Sequence, residues 1–574
     1  MSSVIGVPVK QGDARKQRGG LLLDRHFFPY NTVRYANCNF AFFDFYADIR
    51  QRDEESPALI ASFNPAPGHS DTGAAGTGTL RRIHDLLMRA PPSSIALIDH
   101  DRTVHTYAEL TILVDRMADL LRGHGVRAGD RVVVLGENCA TFLAGVLALS
   151  RLDAWAALAN ARLTPPEVDR LMERAEARTA LFTPEASPAA QAHAARMGAT
   201  SIGKLRCGDI VVSPVREATP EPVEDGPQQT AVLIYTSGTV GEPKGVMLSH
   251  GNLLFVARTG AHMRHIGPHD TLLAVLPGTH IFGLSSVFLS ALSGGARLIC
   301  MPRFDARAVL RRIETGVTVL TAVPQMFANM LKVLKEERVD RPRHQLRYLY
   351  AGGSPLDLAL KLEVERTFGL TLHNGYGQTE ASPSIAATRI EDPRTDTAVG
   401  QPLAGVEIAI DSPNEQGVGE VRVRGPNVMK GYFRNPEATL ATLTDDGFLK
   451  TGDLGRQDSD GAIHIVGRKK ELIIHSGFNV YPPEVEAVLT AHAAVTLCAV
   501  VGRARNGNEE VVAFVTARAP VSEDELRLWA RERLAPYKVP ARVIVAEALP
   551  QAATGKILKN SLIEHFQAQL DERD

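Results

Sequence analysis

The chain has 574 residues, a length that corresponds to roughly four units of ordinary domain size and excludes a single small binding module. Lys and Arg number 63 against 65 Asp and Glu, so the net charge of −2 supplies no field to draw the protein to nucleic acid or anionic lipid. With 48 glycines, 34 prolines and 44% apolar residues, the composition also excludes collagen-like and wholly disordered chains.

In chain order, residues 1–80 stand apart as an aromatic-rich extension and linker. Nine aromatics fall within twenty positions, from Phe27 to Tyr46, and the stretch from Pro65 to Thr79 is a Gly-, Ala- and Thr-rich tether. Two readings of the aromatic cluster stand: an extension packed on the body, or a docking patch at residues 27–46 for a membrane surface or a partner protein. From about residue 81, short apolar runs alternate with helix-period segments. Arg131 to Leu135, Thr230 to Tyr235, Leu272 to Leu276, Val317 to Thr321 and Leu346 to Tyr350 read as buried strands. Asp305 to Thr315 and Leu356 to Phe368 carry apolar residues at helical spacing. This order predicts an α/β fold: a large multi-subdomain body over 81–467, built on mostly parallel sheets. The run Phe142 to Ser150 is too short to cross a bilayer and stops at Arg151 and Asp153. After Gly467 the order changes. A helix from Pro482-Pro483, strands at Val495 to Val501 and Val511 to Thr516, a helix at Glu523 to Leu534 capped by a Ser522/Glu525 box, and a strand at Ala541 to Val545 predict a small α+β domain over 468–574. The five cysteines are scattered and read as reduced thiols. With neither a leader pattern nor a spanning run, a cytoplasmic protein is expected.

The most informative stretch is Tyr235-Thr-Ser-Gly-Thr-Val-Gly-Glu-Pro-Lys-Gly-Val246, directly after an apolar strand. Gly238, Gly241 and Gly245 allow a tight turn whose amides face phosphate oxygens. Thr236, Ser237 and Thr239 add hydroxyls, and Lys244 adds charge. It is not a Walker A loop, because the spacing from Gly238 to Lys244 is wrong and Gly follows the lysine.

With this loop, His280-Ile-Phe-Gly283, Tyr350-Ala-Gly-Gly-Ser-Pro355, Asn374-Gly-Tyr-Gly-Gln-Thr-Glu380, Thr451-Gly-Asp453, Gly467-Arg-Lys-Lys-Glu471, Ser476-Gly-Phe-Asn-Val-Tyr-Pro482 and Thr554-Gly-Lys556 appear in order. Over about 81–565 the sequence resembles the adenylate-forming superfamily of acyl- and aryl-CoA synthetases, luciferases and peptide-synthetase adenylation domains. The resemblance implies the fold of those enzymes and their chemistry. A carboxylate attacks the α-phosphorus of ATP to give an acyl adenylate and pyrophosphate, and the thiol of CoA then displaces AMP. Mg²⁺, Lys244 and Lys556 would offset the charge that moves.

By the same resemblance, Thr236, Ser237, Gly238, Thr239, Val240, Gly241 and Lys244 hold the phosphates, and Glu380 with Thr239 holds the magnesium. Gly352, Ser354, Asn374, Gly375, Tyr376, Gly377, Thr379 and Ile465 surround the nucleotide, with adenine on the Tyr376 ring. Asp453 accepts from the ribose hydroxyls and Arg468 donates to ribose or α-phosphate. Lys556 bridges the carboxylate and the α-phosphate, and Lys470 is the hinge of the small domain. His280, Phe282, Gly283, Leu284, Val287, Gly352 and Gly353 form the acyl pocket, with His280 at its gate, and Ser476 and Gly477 line the CoA channel.

Two positions depart from the pattern. Val240 stands where the family has Ser or Thr, and Ile474 where many aryl-CoA ligases carry a lysine. An amino-acid substrate is disfavoured, since Gly283 occupies the place of the aspartate that pairs an α-ammonium. About 18 residues follow Lys556, too few for a carrier domain. The motifs after Gly467 are most similar to those of bacterial medium- and long-chain fatty acyl-CoA synthetases. A hydrophobic acid, most simply a fatty acid, is the expected substrate, with ATP and CoA as co-substrates and no nucleic acid. An aryl-CoA ligase, or a fatty acyl-AMP ligase that loads a carrier protein, is the alternative reading. A non-catalytic nucleotide-binding homologue is a remote one, and a homodimer stays open.

Overall fold

The computed structural model describes residues 80–236, 243–476, 478–505, 508–551 and 557–571. The aromatic cluster and the tether fall outside the described residues.

Two mixed sheets make up most of the body. In the first, Thr179–Phe182, Arg131–Gly136, Trp155–Asn160 and Thr230–Thr236 run side by side and parallel. The helices Ala140–Arg151 and Pro165–Arg174 connect three of these strands. Every residue of Arg131–Gly136 is buried, as expected of a central parallel strand covered on both faces. The apolar run Phe142 to Ser150 is the interior of the helix Ala140–Arg151 and is buried on all sides. Among the described residues no helix is long and apolar enough to cross a membrane.

The second sheet has nine strands. At its centre Ile95–Ile98, Arg297–Cys300, Thr271–Ala274, Val319–Ala322, Tyr348–Ala351 and Leu372–Gly377 are neighbours in that order, all parallel. Antiparallel strands border both sheets. A third sheet, Glu407–Asp411, Gly419–Arg424, Leu449–Gln457 and Ile463–Arg468, is wholly antiparallel. The centres of both large sheets of the body are parallel, as expected, while their borders and the third sheet are antiparallel. Gly419–Arg424 alternates buried and less buried residues, so it carries no continuous apolar run to mark it in the sequence.

The C-terminal elements follow the expected order. In Asn508–Ala517, paired with Val495–Arg505 and Arg542–Ala546, Val511, Ala513 and Val515 face one core with the helices Pro482–Thr490 and Glu523–Arg531. Val512 and Phe514 face a second core with Leu562, Phe566 and Leu570. The helix at 523 stops at Arg531, three residues short of the expectation, ahead of Pro536. Its cap is half of the expected box. Ser522 Oγ accepts from the Glu525 N–H at 3.2 Å, while the Glu525 carboxylate lies 3.5 Å from His492 instead of returning to the cap.

Candidate active site

The carboxyl ends of four adjacent parallel strands open on one edge of the nine-stranded sheet, the edge at which α/β sheets bind ligands. Leu272 pairs with Val319, Ala322 with Ala351, and Ala351 with Asn374, so the loops that leave these strands start level. The first loop carries His280 and Phe282. Its strand ends at Ala274 because Asn138 replaces the ladder: Asn138 Nδ2 donates to the Ala274 and Leu276 carbonyls at 2.9 Å each, and the Gly278 N–H donates to Asn138 Oδ1 at 2.7 Å. His280 is exposed and caps the short helix Ile281–Gly283, its Nδ1 accepting from the Phe282 N–H at 3.2 Å. The third loop brings Gly352 and Gly353 against Phe282. A Cβ at Gly352 would stand 3.0 Å from Phe282 Cζ, and Gly353 takes a left-handed φ of +81°. Ser354 follows, half-buried.

Three residues expected in the acyl pocket are not at this edge. Leu284 and Val287, 0% and 1% exposed, belong to the body core, in a π-helical stretch Leu284–Leu289. A Cβ at Gly283 would meet the Pro277 carbonyl oxygen at 2.1 Å. These residues seat the segment that carries Phe282, which packs against Gly352, Gly353 and Tyr350. The Tyr350 ring centroid is 6.2 Å from that of Phe282.

Leu372–Gly377 holds the residues expected around the nucleotide, but it uses several of them internally. Asn374 Nδ2 donates to the Thr397 carbonyl at 3.0 Å and its Oδ1 accepts from the Gly375 N–H at 3.0 Å. A Cβ on Gly375 would lie 1.7 Å from Tyr350 Oη, and one on Gly377 1.8 Å from the Pro383 carbonyl oxygen. Both glycines therefore also admit parts of this chain, on the side a Cβ would occupy. Thr379 is buried in the turn that follows. Tyr376 reaches across to the antiparallel sheet, where its Oη donates to Asp453 Oδ2 at 2.5 Å. Asp453 is opposite Arg468 in the ladder and forms an ion pair with it, Arg468 Nε lying 2.8 Å from Asp453 Oδ1. Thr451 anchors the turn, accepting from the Asp453 N–H at 3.1 Å and donating to the Val421 carbonyl at 2.7 Å. Burial, with the Asp453 carboxylate next, holds the Tyr376 hydroxyl protonated far above the usual tyrosine range. Ile465, on the same strand as Arg468, is half-buried at the core margin.

At the other end of the site Thr236 pairs with Lys244 where the hairpin Thr230–Thr236/Lys244–Ser249 opens. Ser237, Gly238, Thr239, Val240 and Gly241 lie outside the described residues. Glu380 sits on the turn Thr379–Ala381, and its Oε1 accepts from the Tyr432 hydroxyl at 2.9 Å. Lys244 Nζ is 5.0 Å from the Tyr432 ring centroid. Glu380 and Lys244 thus both contact Tyr432, and the half-buried Glu380 carboxylate is a donor that fits a hard cation such as Mg²⁺ together with phosphate oxygens. Tyr432 and Asn138 were not singled out from the sequence. The Gly431-Tyr-Phe-Arg434 run before the helix start at Asn435-Pro436 is the local signal that marks the former.

Arg468 leads directly into the turn Lys469–Glu471, where Lys470 is exposed and Lys469 pairs with Glu420 at 2.9 Å. Lys559 ties Glu471 to the small domain, at 3.0 Å from Glu471 and 2.8 Å from Glu486. Ser476 has a φ of +53°, its N–H donating to Asn508 Oδ1 at 2.8 Å. Gly477 and Lys556 lie outside the described residues. Gln551 and Ile557, on either side of the latter's segment, form an antiparallel bridge.

Comparison with known proteins matches the family profile of AMP-binding enzymes to residues 87–433 and that of the AMP-binding enzyme C-terminal domain to residues 484–556. The chain is 36% identical over 490 residues to a feruloyl-CoA synthase of Amycolatopsis sp, covering 83% of this chain and 97% of that one. It is 33% identical over 474 residues to the long-chain-fatty-acid–CoA ligase FadD13 of Mycobacterium tuberculosis, covering 81% and 93%. Among solved structures, the o-succinylbenzoate CoA synthetase of Bacillus subtilis in complex with ATP and magnesium ion superposes with a TM-score of 0.71. Its identity is 33%, over 84% of this chain and 99% of that one.

Proposed function

This chain belongs to the AMP-binding enzyme family, and we propose that within it the protein is an acid–thiol ligase that joins a hydrophobic carboxylic acid to CoA through an acyl adenylate. The carboxylate oxygen attacks the α-phosphorus of ATP and pyrophosphate leaves; the CoA sulfur then attacks the acyl carbon and AMP leaves. The observation that carries this reading is the meeting of Tyr376, Asp453 and Arg468 from two sheets, with Tyr376 on the same strand-and-turn segment as Glu380 of the Lys244, Tyr432 and Glu380 group. One end offers a carboxylate to ribose hydroxyls and a guanidinium to the α-phosphate; the other offers a cation and a carboxylate to the departing pyrophosphate. Glu380, with Thr239 from the adjoining loop, would hold Mg²⁺, which when bound neutralises phosphate charge. Lys556 would bridge the acid and the α-phosphate, with Lys470 as the pivot that delivers it and the Ser476-Gly477 hairpin admitting the thiol afterwards. His280 would stand at the mouth of the acyl pocket.

For the acid, motif similarity favours a fatty chain. A specific observation favours a flat aromatic acid instead. Behind Gly352 the wall is a series of rings: Phe282, then Tyr350, then Tyr348 at 6.3 Å, then His373 stacked on Tyr348 at 4.6 Å. The series is backed by the buried Arg264, 4.5 Å from the Tyr350 centroid. An aryl ring gains stacking contacts on such a wall beyond the apolar burial that an alkyl tail would share. Pyrophosphate release over a panel of fatty, aryl and arylacrylic acids, followed by thioester detection with CoA or a phosphopantetheinyl carrier protein, tests both levels. CoA thioester from at least one class, lost in Lys556→Ala, is expected. No thioester from any acid, or pyrophosphate release that survives Lys556→Ala, would refute the reading.

A further inference from the structure

Glu380 and Lys244 are far apart in sequence and lie on different elements, yet one side chain touches both. Tyr432, buried, donates its hydroxyl to Glu380 Oε1 at 2.9 Å and presents its ring to Lys244 Nζ at 5.0 Å. The strap that carries it is tied down along its length. The Met429 N–H donates to the Glu380 carbonyl at 2.9 Å, Lys430 N–H to the Met247 carbonyl at 3.0 Å, and Phe433 N–H to the Gly245 carbonyl at 2.7 Å. Asn252 Nδ2 donates to the Pro426 and Val428 carbonyls at 2.7 and 2.9 Å. Beyond Tyr432 the Phe433 ring packs against the Arg131 and Arg434 guanidiniums, at 5.5 and 4.7 Å, with Trp155 edge-on at 5.8 Å. Arg434 in turn pairs with Glu176 at 3.1 Å. A ring held this firmly does not follow its partners; they are placed by it.

We propose that Tyr432 is a positioning residue that fixes the Glu380 carboxylate through its hydroxyl and seats Lys244 on its ring, so that the cation-binding and phosphate-binding groups of the site are set in one geometry before nucleotide arrives. The inference rests on the proposed reading of Glu380 and Lys244 as metal and phosphate groups. Two effects of the hydroxyl compete. Accepting a hydrogen bond draws charge from the carboxylate, which weakens it as a ligand, while orientation spares the rotamer entropy that a free Glu loses on binding. Orienting partners of metal-binding side chains are commonly worth ten- to hundredfold in affinity, so orientation decides the sign.

The test uses the full-length protein with a non-hydrolysable ATP analogue and Mn²⁺, whose binding is followed by electron paramagnetic resonance, beside pyrophosphate exchange as a function of free Mg²⁺. For Tyr432→Phe, Mn²⁺ affinity falls about tenfold and half-saturating Mg²⁺ rises by a similar factor, while kcat at saturating Mg²⁺ stays within about threefold. In Tyr432→Leu, which loses the ring as well, analogue affinity at saturating Mn²⁺ falls in addition. In a Glu380→Gln background the Phe substitution adds nothing. A folded Tyr432→Phe protein with wild-type Mn²⁺ affinity, a lower kcat with unmoved Mg²⁺ dependence, or additivity with Glu380→Gln overturns the proposal. Should Tyr432→Phe not fold, Tyr432→Leu with unchanged Mn²⁺ and analogue affinity does so. Wild-type protein that binds no Mn²⁺ with the analogue overturns the reading of the site, and this inference with it.

Discussion

Replacing Asp453 by Asn keeps the shape of the side chain and removes its charge, at the point where two sheets meet. The carboxylate is 3% exposed and both of its oxygens are engaged, Oδ1 by Arg468 Nε at 2.8 Å and Oδ2 by Tyr376 Oη at 2.5 Å. An amide satisfies only one of these donors. If its oxygen accepts from Tyr376, its NH₂ faces the guanidinium, donor against donor. Breaking a fully buried pair costs about 3–5 kcal/mol, but solvent compensates part of the charge where one partner is accessible. Arg468 is 38% exposed, so the loss of stability is put at about 1–2 kcal/mol. The effect on nucleotide is larger. A hydrogen bond to a charged group contributes about 1.5–3 kcal/mol, and the ribose hydroxyls would lose their anionic acceptor, which raises the KM for ATP about 10- to 100-fold. Because the ribose is bound alike in ground and transition states, kcat for adenylation should change little. Urea denaturation gives the first quantity and pyrophosphate exchange at varied ATP gives the other two. A variant with KM for ATP within twofold of wild type, or one in which kcat collapses while KM is unmoved, would show that Asp453 does not hold the nucleotide.

Three further outcomes follow from the packing. Gly375→Ala places a methyl 1.7 Å from Tyr350 Oη, so a loss of about 1–3 kcal/mol or more is expected, partly recovered by adding Tyr350→Phe; equal stability of Gly375→Ala and wild type in urea melts would refute the placement. Burial, with Lys361 next, pushes the His373 imidazole down to about 4, below the ~6.5 of an unfolded histidine, so between these values the unfolded chain takes up a proton that the folded one refuses. Stability is then fully present above pH 6.5 and falls as pH drops towards 4. His373→Phe, which keeps a ring on Tyr348, should remove roughly 2–3 kcal/mol of the loss between pH 7 and 4.5, and melts of equal pH dependence in both proteins would contradict the assignment. Leu284→Ala should cost about 2–5 kcal/mol while leaving the ratio of kcat/KM for an aryl over an alkyl acid unchanged, whereas Phe282→Ala should move that ratio; the reverse pattern would return Leu284 to the acyl wall.

Features that depend on neighbours in the chain were legible in the sequence. The strand before Thr236, the helix start at Pro482 and the strand at Val511 to Thr516 are all local patterns, and the sequence readings lie close to the observed bounds. The ordered motifs likewise named the residues that later meet at the sheet edge. Which groups touch was decided by tertiary structure alone. Tyr376 and Asp453 are 77 residues apart, Glu380 and Tyr432 52 apart, and no local period encodes contacts at such separations. The glycines make the same point at short range: the sequence does not tell that Gly375 and Gly377 also make room for Tyr350 and the Pro383 carbonyl. Leu284 and Val287 follow His280 and Phe282 closely in sequence but face inward, because a helical turn sends successive residues to different sides and only the packed sheet determines which side is the site. Residue chemistry and its order along the chain come from sequence, while the pairing of those residues across sheets is a property of the packed chain.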